Sequence, residues 1–238
     1  MREILILILM FFIYAFLGWI CEIIVARFQF GKWINRGFLI GPLCPIYGIG
    51  CIAIFLTLNK YSDDPLVLFF LAILLCATLE YITSYLMEKI FKNRWWDYSD
   101  MKFNINGRIC LEFAIPFGVG GIVMFYGTNP IILSVLQMCS TQVLMFICIF
   151  LSIIFLVDLI FSFNVIITLK NISSSIRCDS TEAITKKVKE VLKSKDFLHR
   201  RLLNSFPNMQ ISNRLSILKD RLTKDKALLK EEKKRKKN

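Results

Sequence analysis

The sequence predicts an all-α fold, a polytopic membrane helix bundle of about five spans with a cytoplasmic amphipathic helical tail. Three observations predict it. The 238-residue chain is 55% apolar, more than the roughly 45–50% of ordinary soluble domains. Several apolar blocks approach the ~20 residues that a helix needs to cross a hydrocarbon core. The charge is also uneven, because residues 1–169 carry ten basic and ten acidic side chains whereas residues 170–238 carry twenty and eight.

The predicted spans follow from the apolar blocks, none of which shows the two-residue alternation of a strand. Four blocks lie at residues 5–26, 38–58, 66–87 and 109–126. A fifth block, residues 131–169, contains Asp158 as its single charged residue. It is too long for one perpendicular span, since a helix rises about 1.5 Å per residue. It is therefore a tilted helix, a short surface helix followed by one span, or two short spans, with a break among polar residues 137–142.

Basic residues next to the spans predict the orientation. The connections after the first and third blocks are basic, the second carries Lys60 beside two aspartates, and the fourth carries no charge. Five spans with the N-terminus outside and the C-terminus in the cytoplasm fit all of these counts, whereas six would place the basic tail outside. We therefore predict a multi-pass protein of the cell membrane, with a bundle over residues 1–169 and a cytoplasmic tail over residues 170–238.

Acidic residues within the apolar blocks lie toward the predicted cytoplasmic side. Glu80 is the hardest to explain as an interfacial residue, because residues 81–87 separate it from the end of its block. A charged side chain at this depth costs a few kcal/mol, so it normally faces a cavity or a partner. Glu80, Ser84 and Glu88 recur every four residues and form one polar stripe. We expect a buried role for Glu80, either structural or in contact with a substrate.

The second block has an unusual start. Residues 35–50 read NRGFLIGPLCPIYGIG, and Pro42 and Pro45 fall where the helix should begin. One interpretation is a broken or re-entrant first turn, since proline removes a helical hydrogen bond. Unwound backbone at membrane depth is tolerated only where it is buried in protein or lines a cavity. The other interpretation is a loop followed by a helix that begins near Tyr47.

A second polar segment, residues 94–112, reads RWWDYSDMKFNINGRICLE. Its tryptophans, Trp95 and Trp96, suit a membrane-interface belt, as does Trp33.

Arg108 is the natural counter-ion for Glu112, one turn away, or for Glu80 across the bundle, and Arg36 is the second candidate cation. The predicted polar cluster, which serves as a structural pin or as a substrate contact, comprises Glu22, Asn35, Arg36, Glu80, Ser84, Asp97, Asn104, Asn106, Arg108 and Glu112.

The motifs of several function classes are absent from the sequence. There is no GxxxxGK[ST] phosphate loop, no GxSxG nucleophile motif and no HExxH, and His199 is the only histidine. We therefore predict no ATPase of its own, no catalytic residue, no metal and no cofactor. Two carboxylates near an arginine could perform acid–base chemistry on a lipid headgroup, and their spacing does not distinguish that from a salt-bridge network.

The tail has two seams of apolar residues at heptad spacing, over residues 184–202 and 211–229, with Pro207 between them. These predict two basic amphipathic helices that pair with one another, self-associate in a homo-oligomer, or lie on anionic lipid. Nucleic-acid binding is not expected, because no aromatic residues interleave with the basic ones.

Five segments carry a resemblance to a known family: GW…E at 18–22, the segment at 35–50, LEYITSYLMEKIF at 79–91, WWDYSDMKFNINGRICLE at 95–112 and LLNSFPNM at 202–209. Together they resemble the CmpB-type "putative ABC-transporter type IV" family of bacterial membrane proteins. The resemblance covers nearly the whole chain. It implies a permease-like component that moves a small substrate and works with a separate ATPase subunit. Two alternatives stay open, namely a membrane-embedded enzyme acting on a lipid headgroup and a membrane scaffold that recruits partners through its tail.

Overall fold

The computed structural model describes residues 1–31, 33–35, 37–91, 93–175 and 210–211. The predicted all-α class is confirmed, with helices α1 (Arg2–Phe30), α2 (Pro45–Leu58), α3 (Pro65–Phe91), α4 (Leu111–Ile122), α5 (Asn129–Met138) and α6 (Thr141–Ser175). A 3₁₀ turn, Asn59–Tyr61, follows α2, and a π-helical stretch, Val123–Thr128, joins α4 to α5. Four two-residue strands complete the described chain: β1 (Asn93–Arg94), β2 (Asn104–Ile105), β3 (Ile109–Cys110) and β4 (Gln210–Ile211).

Four helical stretches of the described chain are long and apolar enough to cross a membrane: Arg2–Gln29, Pro65–Phe91, Leu111–Met138 and Thr141–Asn164. The predicted break in the last block is confirmed, since α5 ends at Met138 and α6 begins at Thr141. All three interpretations of the block at residues 131–169 were wrong in one respect. Its first residues, 131–138, belong to α5 and continue the candidate span Leu111–Met138. Pro130 has no amide hydrogen to donate, and the helix continues across it because its register widens to π just before.

The second predicted span contains only a short helix. α2 has 14 residues, about 21 Å of helix, against a hydrocarbon core of about 30 Å. Its start lies deep in the bundle, because the Cys44 amide donates to the Ala15 carbonyl at 2.9 Å, and Ala15 is midway along α1. The chain before Pro45 is non-helical over residues 37–44. A loop does precede the helix, as the second interpretation has it, but α2 begins at Pro45 rather than near Tyr47. The end of the unwound chain lies against the middle of α1.

Glycines let the short helix pack closely against α1. A Cβ atom at Gly18 would lie 2.3 Å from the ring of Tyr47, and one at Gly48 would lie 2.6 Å from the Phe11 carbonyl oxygen. Gly121 makes a comparable approach between α4 and α3. Small residues at helix crossings are the usual means of close packing in membranes, where dispersion contacts replace the hydrophobic effect.

The bundle has a narrow core and a wide apolar outer surface. The largest fully buried side chains are Met10, Leu39, Leu68 and Leu144, contributed by α1, the non-helical segment, α3 and α6. Only 11% of the most apolar window of α6 is buried, so most of its large apolar side chains are exposed. Such a helix is suited to contact with lipid, which is as apolar as its side chains.

A polar contact lies within this core where the π-helical stretch meets α5. The Tyr14 hydroxyl lies 2.9 Å from Thr128 Oγ1 and donates to the side-chain oxygen of Asn129. Both Tyr14 and Asn129 are buried. The contact ties α1 to the second half of the α4–α5 span. It also gives the buried Tyr14 hydroxyl its partners, and an unpaired polar group would be costly in hydrocarbon.

Two expectations about the inner segments were wrong. Trp95 is not an interface residue but a buried one, 5% exposed, packed against Phe38 and Phe91, whereas Trp33 is 72% exposed as expected. Ile211, predicted to begin the second amphipathic helix, lies instead in β4, which pairs antiparallel with β1. The rest of the predicted tail helices lie outside the described residues, and α6 itself continues past residue 169.

Candidate functional site

The non-helical segment before α2 is held by a carboxylate of α6. The backbone amides of Ile40 and Gly41 donate to the two oxygens of Asp158, at 3.0 and 2.9 Å. Ser162, one turn further along α6, is within hydrogen-bonding distance of both Ile40 and Asp158. Leu39 is fully buried beside them. Asp158 and Ser162 therefore satisfy two amides of the unwound backbone, as a non-helical segment within a membrane bundle requires.

Asn35 shapes the approach to this segment. Its side-chain oxygen accepts a hydrogen bond from the Gly37 amide at 2.9 Å, and its amide nitrogen donates to the Ile40 carbonyl at 3.4 Å. Both bonds are local, and such Asx turns mimic a backbone turn. Asn35 thus holds the loop conformation rather than facing the other predicted site residues. Arg36 lies outside the described residues.

Glu22 lies beneath the first turn of α2. Its carboxylate accepts a hydrogen bond of 2.8 Å from the Tyr47 hydroxyl. The Tyr47 ring reaches it by crossing Gly18, which leaves room for the ring. Helical side chains point toward the N-terminus of their own helix, so an early residue of α2 naturally projects back along α1. Glu22 and Tyr47 therefore place a carboxylate and a hydroxyl where the helical part of the second span begins.

Glu80 is buried on α3, with 9% exposed. Its carboxylate accepts a hydrogen bond of 3.3 Å from the Tyr98 hydroxyl, and the Tyr98 ring stacks on Phe113 at 4.9 Å. No lysine or arginine of the described chain forms an ion pair with Glu80. Burial first, then the negative charges of Glu80 and Glu22, raise the pKa of Tyr98 well above its usual value. Tyr98 therefore stays a protonated donor to Glu80.

The predicted partner of Arg108 was wrong. Arg108 pairs with Glu88 at 2.9 Å and donates to Ser84 Oγ at 3.4 Å, rather than pairing with Glu112 or Glu80. The guanidinium also lies over the rings of two tyrosines of α3, at 5.7 and 5.4 Å. Arg108 lies in the turn between β2 and β3 and reaches α3 from there, whereas Glu112 is in the first turn of α4 and is exposed. The polar stripe of α3 is therefore the surface on which this arginine binds.

Arg94 extends the network toward the solvent. It contacts Glu88 at 3.3 Å and Asp97 at 3.1 Å. Burial alone would raise the pKa of Asp97, but hydrogen bonds from Ser99 and then the Arg94 charge lower it below the usual value. The carboxylate of Asp97 is thus fixed by a donor two residues away and by a cation three residues before it. Its role is to order the loop after α3.

The β2–β3 pair is a hairpin that carries Arg108. Three residues, 106–108, join the paired strands. Asn106 and Gly107 have φ angles of 53° and 65°, as the centre of a type I′ turn requires, and the Arg108 amide closes the turn on the Ile105 carbonyl at 3.0 Å. Asn104 accepts from the Gly107 amide at 3.0 Å and donates to the Met101 carbonyl at 2.7 Å. Asn106 donates to the Tyr81 hydroxyl of α3 at 2.9 Å. The two asparagines therefore shape and dock the hairpin.

The structure brings only some of the predicted residues together. One acid–tyrosine pair, Glu22 with Tyr47, lies at the start of α2, and a second, Glu80 with Tyr98, joins α3 to the connection that follows it. Further along α3, Ser84 and Glu88 both contact Arg108. Glu88 also pairs with Arg94, which in turn pairs with Asp97. Glu112 stands apart from both groups among the described residues.

Sequence reasoning missed three residues of this region. Tyr47 and Tyr98 carry no motif that separates them from other tyrosines of the chain, and Asp158 was noted only as an acid inside an apolar block. The hairpin, by contrast, had a signal, because Asn106–Gly107 is the dipeptide that type I′ turns prefer.

Comparison with known proteins now decides the family. A family model described as "Putative ABC-transporter type IV" matches residues 9–163. The chain belongs to this family. The match covers all four candidate spans except the first residues of α1 and the last residue of the fourth. It is therefore a membrane protein of transporter-like type. No curated protein and no solved structure matches the chain.

Proposed function

We propose that this protein is the permease-like component of a transporter and that its substrate contacts the polar region beneath α2. The observation that carries this proposal is the discontinuous second span. Residues 37–44 are unwound, and the segment ends at α2 with the Cys44 amide bound to the Ala15 carbonyl, midway along α1. Transporters commonly build their sites from such broken helices, which expose polar backbone near the middle of the bilayer.

The two acid–tyrosine pairs supply the side chains of the proposed site. Glu80 belongs to a span, whereas its partner Tyr98 belongs to the connection between α3 and α4. A displacement of that connection would separate the hydroxyl from the carboxylate and leave Glu80 as an acceptor for a substrate. The ionic network of Arg108 with Glu88 would hold the connection in place until then. The substrate is small, and its identity is the first question for experiment.

The orientation belongs to the same proposal. We place the N-terminus outside and the tail in the cytoplasm of the cell membrane, since this puts the basic connections inside. Because the sequence has no phosphate-binding loop of its own, a separate ATPase would supply the energy from the cytoplasmic side. The basic tail would lie against anionic lipid or join two copies of the chain.

The test is affinity purification of the full chain from membranes in mild detergent, followed by identification of bound proteins. We expect an ATPase to be recovered, and we expect Glu80→Gln to lower ATP hydrolysis by the complex without reducing recovery of the partner. Glu112→Gln is the matched control, because Glu112 is an exposed acid that belongs to neither acid–tyrosine pair. Absence of any ATPase, together with no ATP-dependent uptake by vesicles, would contradict the proposal.

The alternative of a lipid-headgroup enzyme receives less support from the arrangement. Such an enzyme would use Arg108 to bind an anion, but Arg108 is engaged by Glu88 and is 11% exposed. Its second carboxylate, Glu112, is exposed, whereas Glu80 is buried. The scaffold alternative depends on the tail, almost all of which lies outside the described residues.

A further inference from the structure

The β2–β3 hairpin exposes apolar side chains in an unexpected place. Phe103 is 80% exposed and Ile105 is 56% exposed. Phe103 also has a φ of 53°, a left-handed conformation that is strained for a bulky side chain. The backbone is held there by a bond from the Leu111 amide to the Phe103 carbonyl. The fold therefore sustains strain to present a ring that little of the described protein covers.

The hairpin lies at the depth of the membrane boundary. α3 has 27 residues, about 40 Å of helix, so it exceeds a hydrocarbon core of about 30 Å and its end protrudes. Asn106, at the hairpin tip, bonds to Tyr81, which lies ten residues before the end of α3. The connection thus folds back along α3 toward the bilayer rather than away from it. Even with the whole excess of α3, about 10 Å, at this end, Tyr81 lies about 15 Å before the end, so the tip reaches about 5 Å inside the hydrocarbon boundary.

The hairpin docks on a side of α3 that also carries exposed apolar residues, because Asn106 bonds to Tyr81 and Arg108 lies over Tyr81 and Tyr85. Ile82, Tyr85 and Leu86 on that helix are each 46–47% exposed. Lys89 follows at the helix end, with its amine 5.9 Å from the centre of the Tyr85 ring. Aromatic rings with lysines beyond them are typical of the interfacial belt of membrane proteins, where the ring stays in the boundary and the amine reaches water.

We propose that the β2–β3 hairpin is an interfacial anchor, with Phe103 and Ile105 inserted at the headgroup–acyl boundary of the bilayer that the chain spans. Its occupant is phospholipid. The argument combines the depth of the hairpin along α3, its docking on a side of α3 that carries exposed apolar residues and a strained backbone that presents an apolar ring. Because it requires only that α3 crosses the membrane, it is independent of transport. It leaves the ATPase partner to bind elsewhere than at this hairpin.

The test places the photoreactive amino acid p-benzoylphenylalanine at position 103 of the full chain. The purified protein is reconstituted in nanodiscs of phosphatidylcholine and phosphatidylglycerol, irradiated and examined by mass spectrometry. The same amino acid at position 105 gives a second reading, and at position 100, an exposed aspartate of the same loop, it gives the control. Elution as a single species by size exclusion verifies that each variant is folded.

We expect phospholipid adducts at positions 103 and 105, at least fivefold more abundant than at position 100. Equal yields at the three positions, or no lipid adduct at positions 103 and 105 of folded protein, would overturn the anchor. Adducts to another protein in native membranes, in place of lipid, would identify the hairpin as a protein-docking surface and would overturn it equally. A lack of transport activity in an otherwise lipid-anchored protein would affect only the proposed function.

Discussion

The ion pair between Arg108 and Glu88 should be the main bond that holds the α3–α4 connection on the bundle. The two side chains are 11% and 16% exposed, and their charged atoms lie 2.9 Å apart. Breaking a fully buried pair by removing one partner costs about 3–5 kcal/mol, whereas loss of Arg108 takes from Glu88 its shorter ionic contact and leaves the longer one with Arg94. Because some exposure remains here, we expect Arg108→Met to lower the free energy of unfolding by about 3 kcal/mol.

Arg94→Met is the matched control. Arg94 contacts the same Glu88 oxygen at 3.3 Å but is 22% exposed, so water screens it more and its loss should cost about 1 kcal/mol. In the double variant with Glu88→Gln, the losses should not add. We expect the Arg108–Glu88 coupling energy to be about 2 kcal/mol, within the range measured for residues in direct contact.

The assay is reversible unfolding of each variant by SDS titration in mild detergent micelles, followed by circular dichroism. Protease cleavage within the α3–α4 connection gives a local readout, since loss of the pair should expose this segment before the spans unfold. An Arg94→Met variant that costs as much as Arg108→Met, or additive losses for Arg108→Met and Glu88→Gln, would refute the assignment of the buried pair as the main bond.

Three further predictions concern the segments around the site. Asp158→Leu should destabilise the protein by about 2 kcal/mol or more, because two backbone amides lose their acceptor. Asp158→Asn keeps one side-chain oxygen and should recover part of this loss in the same SDS titration. Equal losses for the two variants would argue against the contact. Gly107→Ala should be destabilising by about 1–3 kcal/mol because its φ is +65° and a Cβ would meet Ser99, while Gly127→Ala, with open space around it, should be near neutral. Because the pKa of Asp97 is lowered, its contribution to the free energy of unfolding is complete above about pH 4 and is lost as the pH falls through the folded-state pKa. Asp97→Asn should therefore flatten the pH dependence of the free energy of unfolding below about pH 4. An unchanged acid profile would count against this prediction.

The sequence was sufficient for the helical class and for most helix positions, because these depend on local composition. A run of apolar residues forms a helix in a bilayer whatever it packs against, since its backbone hydrogen bonds must be made within the segment. The prolines at positions 42 and 45 likewise indicated the late start of α2. The error at residues 131–138 arose because the length of a block was read without the π-helical register change that lets α5 continue the fourth span.

In the candidate site, the burial of a residue could be predicted from the local sequence, whereas the contacts between residues could not. Glu80 was identified as buried from its distance to the end of its block, which is a local property. Its partner Tyr98 and the partner of Arg108 could not be identified in this way, because both are set by how the connection after α3 folds back. The acids Glu80, Glu88 and Glu112 lie 28, 20 and 4 residues from Arg108 along the chain, and neither charge nor this separation identifies the one that it pairs with.

What the sequence determined by itself is therefore a membrane bundle with a basic tail, an unusual second span and a buried acid on the third. These are consequences of hydropathy, of charge near span ends and of the missing amide in proline. What only the tertiary structure decided is which groups meet. Asp158 receives the amides of residues 40 and 41, and Glu88 receives Arg108, because each contact joins segments that are distant along the chain, and the packing of whole helices fixes that geometry.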